Sequence, residues 1–284
     1  MSDISLSSVP RAPAPPRLIP QLFGAEPRFA ALGLLLALAM IPTALAMTLD
    51  PRQFQAEAIW LKPLKFELAL SLYLLSLAFF ARFLPPGMTD RRGYRIFAGV
   101  VIFCVLAEMA WIGGAAMFGT ASHFNLTDPV MGAIYSLMGL FAVTLTSASL
   151  VYGIAIWRHP AGLPDPALRL SVALGLGLTF VLTVLVAGYM AGQPGHLVGT
   201  PVTGAKVPLM GWSREVGDLR LPHFLATHAM HVIPLAGLLV GLLAGRMRSS
   251  RLAIWSVWAA SAGFVALTLG SFALAIMGLP AFAL

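Results

Sequence analysis

The chain is predicted to be an all-α, polytopic membrane bundle of about seven transmembrane helices, and three observations lead there. Its residues are 58% hydrophobic and 10% charged, with a mean hydropathy of +0.86. A soluble domain is nearer half apolar and about a quarter charged. Apolar runs long enough to cross a hydrocarbon core of about 30 Å recur along the chain. They are too long for barrel strands, and backbone groups in lipid must be satisfied within the segment, which leaves helices.

Residues 1–27, rich in proline and serine and without apolar periodicity, read as a disordered tail, and 28–284 as the transmembrane domain. Spans are expected at about 28–49, 63–84, 95–119, 129–157, 167–191, 221–246 and 251–278. In the first, Arg28, a run of Leu and Ala, and Ala44-Leu-Ala46 also fit a cleavable signal peptide. The long tail before it and the length of the run favour an uncleaved helix. Cys104 lies inside the third run as the single cysteine, so an intrachain disulfide or a Cys-based metal cluster is excluded. In the sixth, Pro222 suits the first helical position, where its missing N–H costs nothing. Pro234 should kink that helix and free the Met230 carbonyl. Gly237, Gly241 and Gly245 repeat every four residues, the small-residue pattern of close helix packing in lipid.

Sidedness follows from the 18 Lys and Arg residues. Arg11, Arg17, Arg28, Arg82, Arg91, Arg92, Arg95, Arg158, Arg169, Arg246, Arg248 and Arg251 fall on one side. Arg52, Lys62, Lys65, Lys206, Arg214 and Arg220 fall on the other. The positive-inside rule puts the amino terminus in the cytoplasm and the carboxy terminus in the periplasm of a bacterial inner membrane. Trp255 and Trp258 fit an aromatic belt at the inner end of the last span. The net charge of +7 sits in short loops, so it does not point to nucleic acid.

The unusual sequences then face outward: Trp60-Leu-Lys-Pro-Leu-Lys-Phe-Glu67, Ser122-His-Phe-Asn125, and Gly211 to His231. The last holds two Arg, a Glu, an Asp and three of the six histidines. At 1.5 Å per residue, His228 lies roughly 9 Å and His231 roughly 13 Å below the outer boundary, Glu108 roughly 15 Å and Glu67 roughly 6 Å. Depth therefore pairs Glu108 with His231, and Glu67 with His228. Helical phase sets His223, Thr227, His228 and His231 on one face. A carboxylate at such depth must be neutral or paired. The expected arrangement is a polar cup, with His228, His231, His123, His223 and Glu108 as metal ligands. Glu67, Lys65, Asn125, Trp212, Arg214, Asp218, Arg220 and Thr227 would line it under an irregular 192–220 lid.

Several chemistries are absent. The chain has no phosphate-cradling loop with Lys-Ser/Thr, no His-Glu-x-x-His and no Gly-x-Ser-x-Gly. Six histidines are too few for the eight-histidine di-iron desaturases. His228-x-x-His231 differs from the His-x-x-x-His of seven-helix zinc hydrolases, and the last helix lacks a lysine for retinal. Lys62-Pro-Leu-Lys-Phe66, Ser122-His-Phe-Asn125 and Gly217-Asp-Leu-Arg-Leu-Pro-His-Phe-Leu-Ala-Thr-His228 resemble segments of uncharacterised multi-pass inner-membrane proteins of bacteria. That resemblance implies no activity.

Three readings stand. The leading one is a transition-metal or haem centre in the outer half, since imidazole suits Zn, Cu and Fe and a carboxylate completes a hard-donor set. The second is a proton-coupled transporter or a binding protein for a small polar periplasmic solute. The third is an assembly or sensory subunit, in an oligomer or with another membrane protein.

Overall fold

Three spans begin on an acid–proline pair. Glu26-Pro27 opens α2 (Pro27–Leu49), Asp128-Pro129 opens α5 (Pro129–Trp157) and Asp165-Pro166 opens α6 (Pro166–Ala191). Each carboxylate accepts from N–H groups of the first turn, at 2.7 Å from Val130 and 2.8 Å from Leu168. The proline fills the position whose N–H has no helical partner. α3 (Leu61–Phe80) runs into a 3-10 turn at Ala81–Phe83. α4 (Arg92–Phe118) ends on Gly119, whose φ of 68° suits a residue without Cβ, and the Thr120 N–H reaches back to the Ala115 carbonyl. α7 (Arg220–Met247) and α8 (Ser250–Ile276) complete the set. These bounds come from a computed structural model that describes residues 18–54, 57–125, 128–247 and 250–282.

All seven helices are long and apolar enough to cross a membrane, and they fall on the expected runs. The chain is a multi-pass, all-α membrane bundle. Its lipid-facing surface exposes Leu38, Ile41, Phe103, Leu140, Leu239, Trp255 and Trp258, among others. Most of the expected disordered tail lies outside the described residues. The described remainder departs from that expectation, because Leu18–Ala25 forms a short helix, α1, with Leu22 and Ala25 packed on the core.

The connections α2–α3, α4–α5 and α6–α7 share one end of the bundle, the loop end. The other end carries Arg82, Arg91, Arg92, Arg95 and Arg158. α3 packs against α2, α4 and α5, while α7 packs mainly against α6 and α8. The main core joins α2, α3, α4, α5 and α6 and takes in Met230 from α7.

The α6–α7 pair is the most extensive contact in the bundle. A Cβ added to Gly237 would overlap the Ser171 side chain, and one added to Gly175 would lie 2.7 Å from Pro234 Cδ. α7 runs through Pro234 without a break. The Met230 N–H donates to Thr179 Oγ1 at 2.8 Å, and that hydroxyl donates to the Gly175 carbonyl at 2.9 Å. The close packing expected of the glycine repeat is thus present at Gly237, while the surroundings of Gly245 lie outside the described residues. At the loop end, β1 (Gln53–Phe54) pairs with β2 (Glu57–Ala58), and β3 (Leu197–Val198) pairs with β4 (Gly217–Asp218). Gly217 is pressed on α8, where an added Cβ would overlap the Ala275 carbonyl.

Alanine at Gly237 or Gly217 is expected to destabilise the detergent-solubilised protein by about 1–3 kcal/mol through overpacking. Gly139→Ala, where a Cβ meets nothing within 4 Å, should be neutral or stabilising. Thermal melts of the three variants check this, and equal melting temperatures would refute the close approach.

Candidate functional site

Two polar clusters, not one cup, are present, the first at the loop end and the second near mid-span. The first is built on Lys62, in the opening turn of α3. Its Nζ lies 3.1 Å from His123 Nδ1, and Ser122 Oγ lies 3.1 Å from the same nitrogen. Lysine ammonium can only donate, so Nδ1 is the acceptor and His123 carries its proton on Nε2. The Trp111 indole N–H donates to the Ser122 carbonyl at 2.8 Å and ties the 120–125 loop to α4. Phe66 and Tyr135 flank the imidazole, with ring centroids 5.8 and 5.7 Å away. Phe124 sits at φ 59°, a left-handed conformation that a bulky residue rarely adopts, and packs on Tyr135. Glu108 of α4 is 4% exposed, and its Oε1 has no hydrogen-bond partner among the described residues. Its charge acts on Lys62, yet no ion pair within 4.0 Å joins them.

The second cluster spans α3 and α7. Ser76 Oγ donates to the Leu72 carbonyl at 2.7 Å, which uses its one proton. It therefore accepts from His231 Nε2–H at 2.8 Å, and His231 Nδ1 is left as an acceptor. His228 Nδ1 lies 3.2 Å from it, within reach to donate. Phe224 packs edge-on against His228 with centroids 4.1 Å apart. His223 adds an unpartnered, buried Nδ1 one turn nearer the loop. The shared histidine face is present for His228 and His231.

The pairing inferred from depth is corrected. Glu67 accepts from Thr43 Oγ1 of α2 at 2.7 Å, Glu108 faces Lys62, and the histidine pair is served by Ser76. Depth along a helix carries no azimuth, and α4 packs on α3 and α5 while α7 packs on α6 and α8. The five expected metal ligands are accordingly divided: no group of three or more His, Cys, Asp and Glu side chains able to hold a metal exists among the described residues.

The remaining expected pocket residues build the loop. Asp218 accepts from the Ser213 and Arg220 N–H groups and pairs with the Arg220 guanidinium at 2.6 Å, and Arg220 also donates to the Gly211 carbonyl. The Arg214 N–H donates to the Ala205 carbonyl at 2.9 Å, and Thr227 Oγ1 to the Phe224 carbonyl at 2.9 Å. Trp212 stacks on Phe282 and meets Phe224 edge-on. Lys65 forms no hydrogen bond or ion pair with a described residue, and Asn125 is half-buried. Within the 192–220 connection, Glu215 accepts from the Val202, Thr203 and Ala205 N–H groups. Sequence reasoning placed none of Lys62, Ser76 and Thr43 in the site.

Burial, and then the Lys62 charge, push His123 down to about 3. Burial, and then Arg220, bring His196 to about 4. Burial acts to raise Asp218, but the bonds and charge of Arg220 outweigh it and hold the carboxyl below its usual range. Hydrogen bonds from Thr203 hold Glu215 at about 2.

Unfolding lets His123 take a proton near pH 6.5 that the folded chain refuses until about 3. The unfolded state binds more protons across that window, so this contribution is whole above pH 6.5 and declines as pH falls toward 3. His196 acts alike down to about 4, whereas Asp218 withdraws its support only as pH falls below 3.8. The melting temperature should therefore drop on acidification from pH 6.5 toward 4, less steeply in His123→Gln, which keeps an acceptor and loses the titration. A variant as steep as wild type would contradict the assignment. Set against protein-family models, curated proteins and solved structures, the chain matches none.

Proposed function

We propose that this is a bacterial inner-membrane protein, akin to the uncharacterised ones it resembles, whose periplasmic half binds a small polar solute at Lys62, His123 and Glu108. One observation carries the reading: a buried carboxylate oxygen without a partner lies within electrostatic reach of a lysine with which it makes no ion pair. Lys62 spends one N–H on His123 and finds no other acceptor among the described residues, while Glu108 Oε1 finds no donor. An unpaired charge deep in a span costs on the order of 3 kcal/mol on insertion scales, so Glu108 calls for a partner, and Lys62 has N–H donors to spare. A solute bearing an acceptor and a donor supplies both. The excess of arginine at the other end supports an outward-facing site. Thermal melts of the purified protein against small acids, amino acids, amides and sugars test this. A ligand at 100 times its Kd stabilises by about 2.7 kcal/mol. At least one class should raise the melting temperature, and Lys62→Met should abolish the rise. A flat panel defeats the reading.

A second reading keeps the metal ion and narrows it to His228 and His231. Their Nδ1 separation of 3.2 Å is close to the roughly 3.3 Å between two nitrogens bound at about 2.0–2.1 Å to one tetrahedral ion. Ser76 supports it by engaging the far nitrogen of His231, as a partner beyond a metal ligand does. Cobalt(II) titration should give ligand-field bands that vanish in His228→Ala and weaken about 10- to 100-fold in affinity in Ser76→Ala. Bands unchanged in His228→Ala rule the pair out.

A further inference from the structure

Resting on the solute-site reading, and independent of the histidine pair, the geometry points to a small carboxylic acid, bound together with its proton, as the ligand of the Lys62–Glu108 site. The argument is one of charge and hydrogen-bond type. Lys62 has N–H donors to give and needs an acceptor, preferably an anion. Glu108 Oε1, on a residue 96% buried by its 4% exposure, needs a donor. A carboxylate alone answers Lys62 but sets a second negative group beside Glu108, and two close carboxylates cannot both stay ionised. An ammonium alone answers Glu108 and repels Lys62. A carboxylate arriving with one proton answers both: one of its oxygens accepts from Lys62 Nζ, and the proton lies between the other oxygen and Glu108 Oε1.

The balance is simple. The ligand brings one negative and one positive charge, no covalent bond other than O–H changes, and the site keeps its net charge. That matters in a low-dielectric setting, where a net charge without a partner is the expensive state.

The neighbouring groups allow this. His123 offers its one acceptor nitrogen to Lys62 and Ser122, so it does not compete for the shared proton. Cys104 on α4 feels the Glu108 charge, and Tyr135 of α5 stands beside His123. Phe66 and Tyr135 pack on His123, and Trp111 bonds the Ser122 carbonyl beside it, so the His123 side of the site is aromatic, which suits a short apolar tail on the acid more than a polyol.

Calorimetric titration of the detergent-solubilised full chain with acetate tests the inference, run in two buffers of different ionisation enthalpy so that proton uptake is counted. Glycine and acetamide serve as comparators: one adds an ammonium, the other is neutral with a donor and an acceptor. Saturable acetate binding with roughly one proton taken up per acetate is expected. Lys62→Met should weaken it by about 10- to 100-fold. Glu108→Gln, whose amide donates directly, should bind acetate without proton uptake. Glycine or acetamide binding as tightly as acetate overturns the acid assignment and leaves the solute site standing. So does acetate binding with no proton taken up, or with uptake unchanged in Glu108→Gln. If none of the three probes binds the folded protein, the acid assignment falls; the wider solute panel then decides whether the solute site falls with it.

Discussion

The arrangement at the loop end depends on how closely α6 and α7 approach. Gly237 lets Ser171 sit where a side chain would otherwise be, and Gly175 does the same for the Pro234 ring. Two helices held that close have little freedom to rotate about their axes, because steric fit in lipid is the chief source of packing energy. Thr179 adds a directional bond by accepting from the Met230 N–H. Met230 is fully buried and points into the main core. With residue 230 turned inward, His231 and His228 come to the flank that meets α3, and Ser76 is the group waiting there. The histidine pair is thus a consequence of backbone packing several residues away.

Polar groups inside the bundle are accounted for in different ways on the two sides of α3. Toward α7, the chain from His228 through His231 and Ser76 ends on the Leu72 carbonyl with each proton assigned, while His223 Nδ1 is left without a partner among the described residues. Toward α4, the chain is open. His123 is satisfied by two donors, but the lysine that serves it retains unused capacity and the carboxylate opposite has an empty oxygen. Lipid offers no substitute partners, so an open chain at this depth is a stronger pointer to a ligand than a closed one.

Much of this was legible in the sequence, and the failures share a cause. Apolar run length located all seven spans, since a bilayer sets helix length directly. The acid–proline pairs at 26–27, 128–129 and 165–166 mark helix starts as sharply as any sequence can. Helical phase predicted that His228 and His231 share a face, a property internal to one helix. Pairings between helices were another matter. Depth set Glu108 level with His231, but the bundle order turns α4 toward α3 and α5, so Glu108 acts on Lys62 instead. No arithmetic within a single span contains that order. Ser76 and Thr43 escaped notice for the same reason, being ordinary hydroxyls until a neighbouring helix brings them a histidine or a glutamate.

Lys62 was the costlier omission, and its reading turns on direction. A lysine in the first turn of a membrane helix normally extends its stem toward the headgroups and gives its charge to water. Here the connection that follows α4 folds over it. Trp111 holds the Ser122 carbonyl, Phe124 takes a left-handed turn, and His123 is delivered above the ammonium as an acceptor. The loop has replaced water as the lysine's neighbour on the outer side and left the Glu108 side unanswered. A loop built only to cap α4 would not need this, because Gly119 already ends that helix with the Thr120 N–H returned to Ala115. The strained residue at 124 and the neutral imidazole beside it hold one ammonium in place, within electrostatic reach of a carboxylate it does not touch.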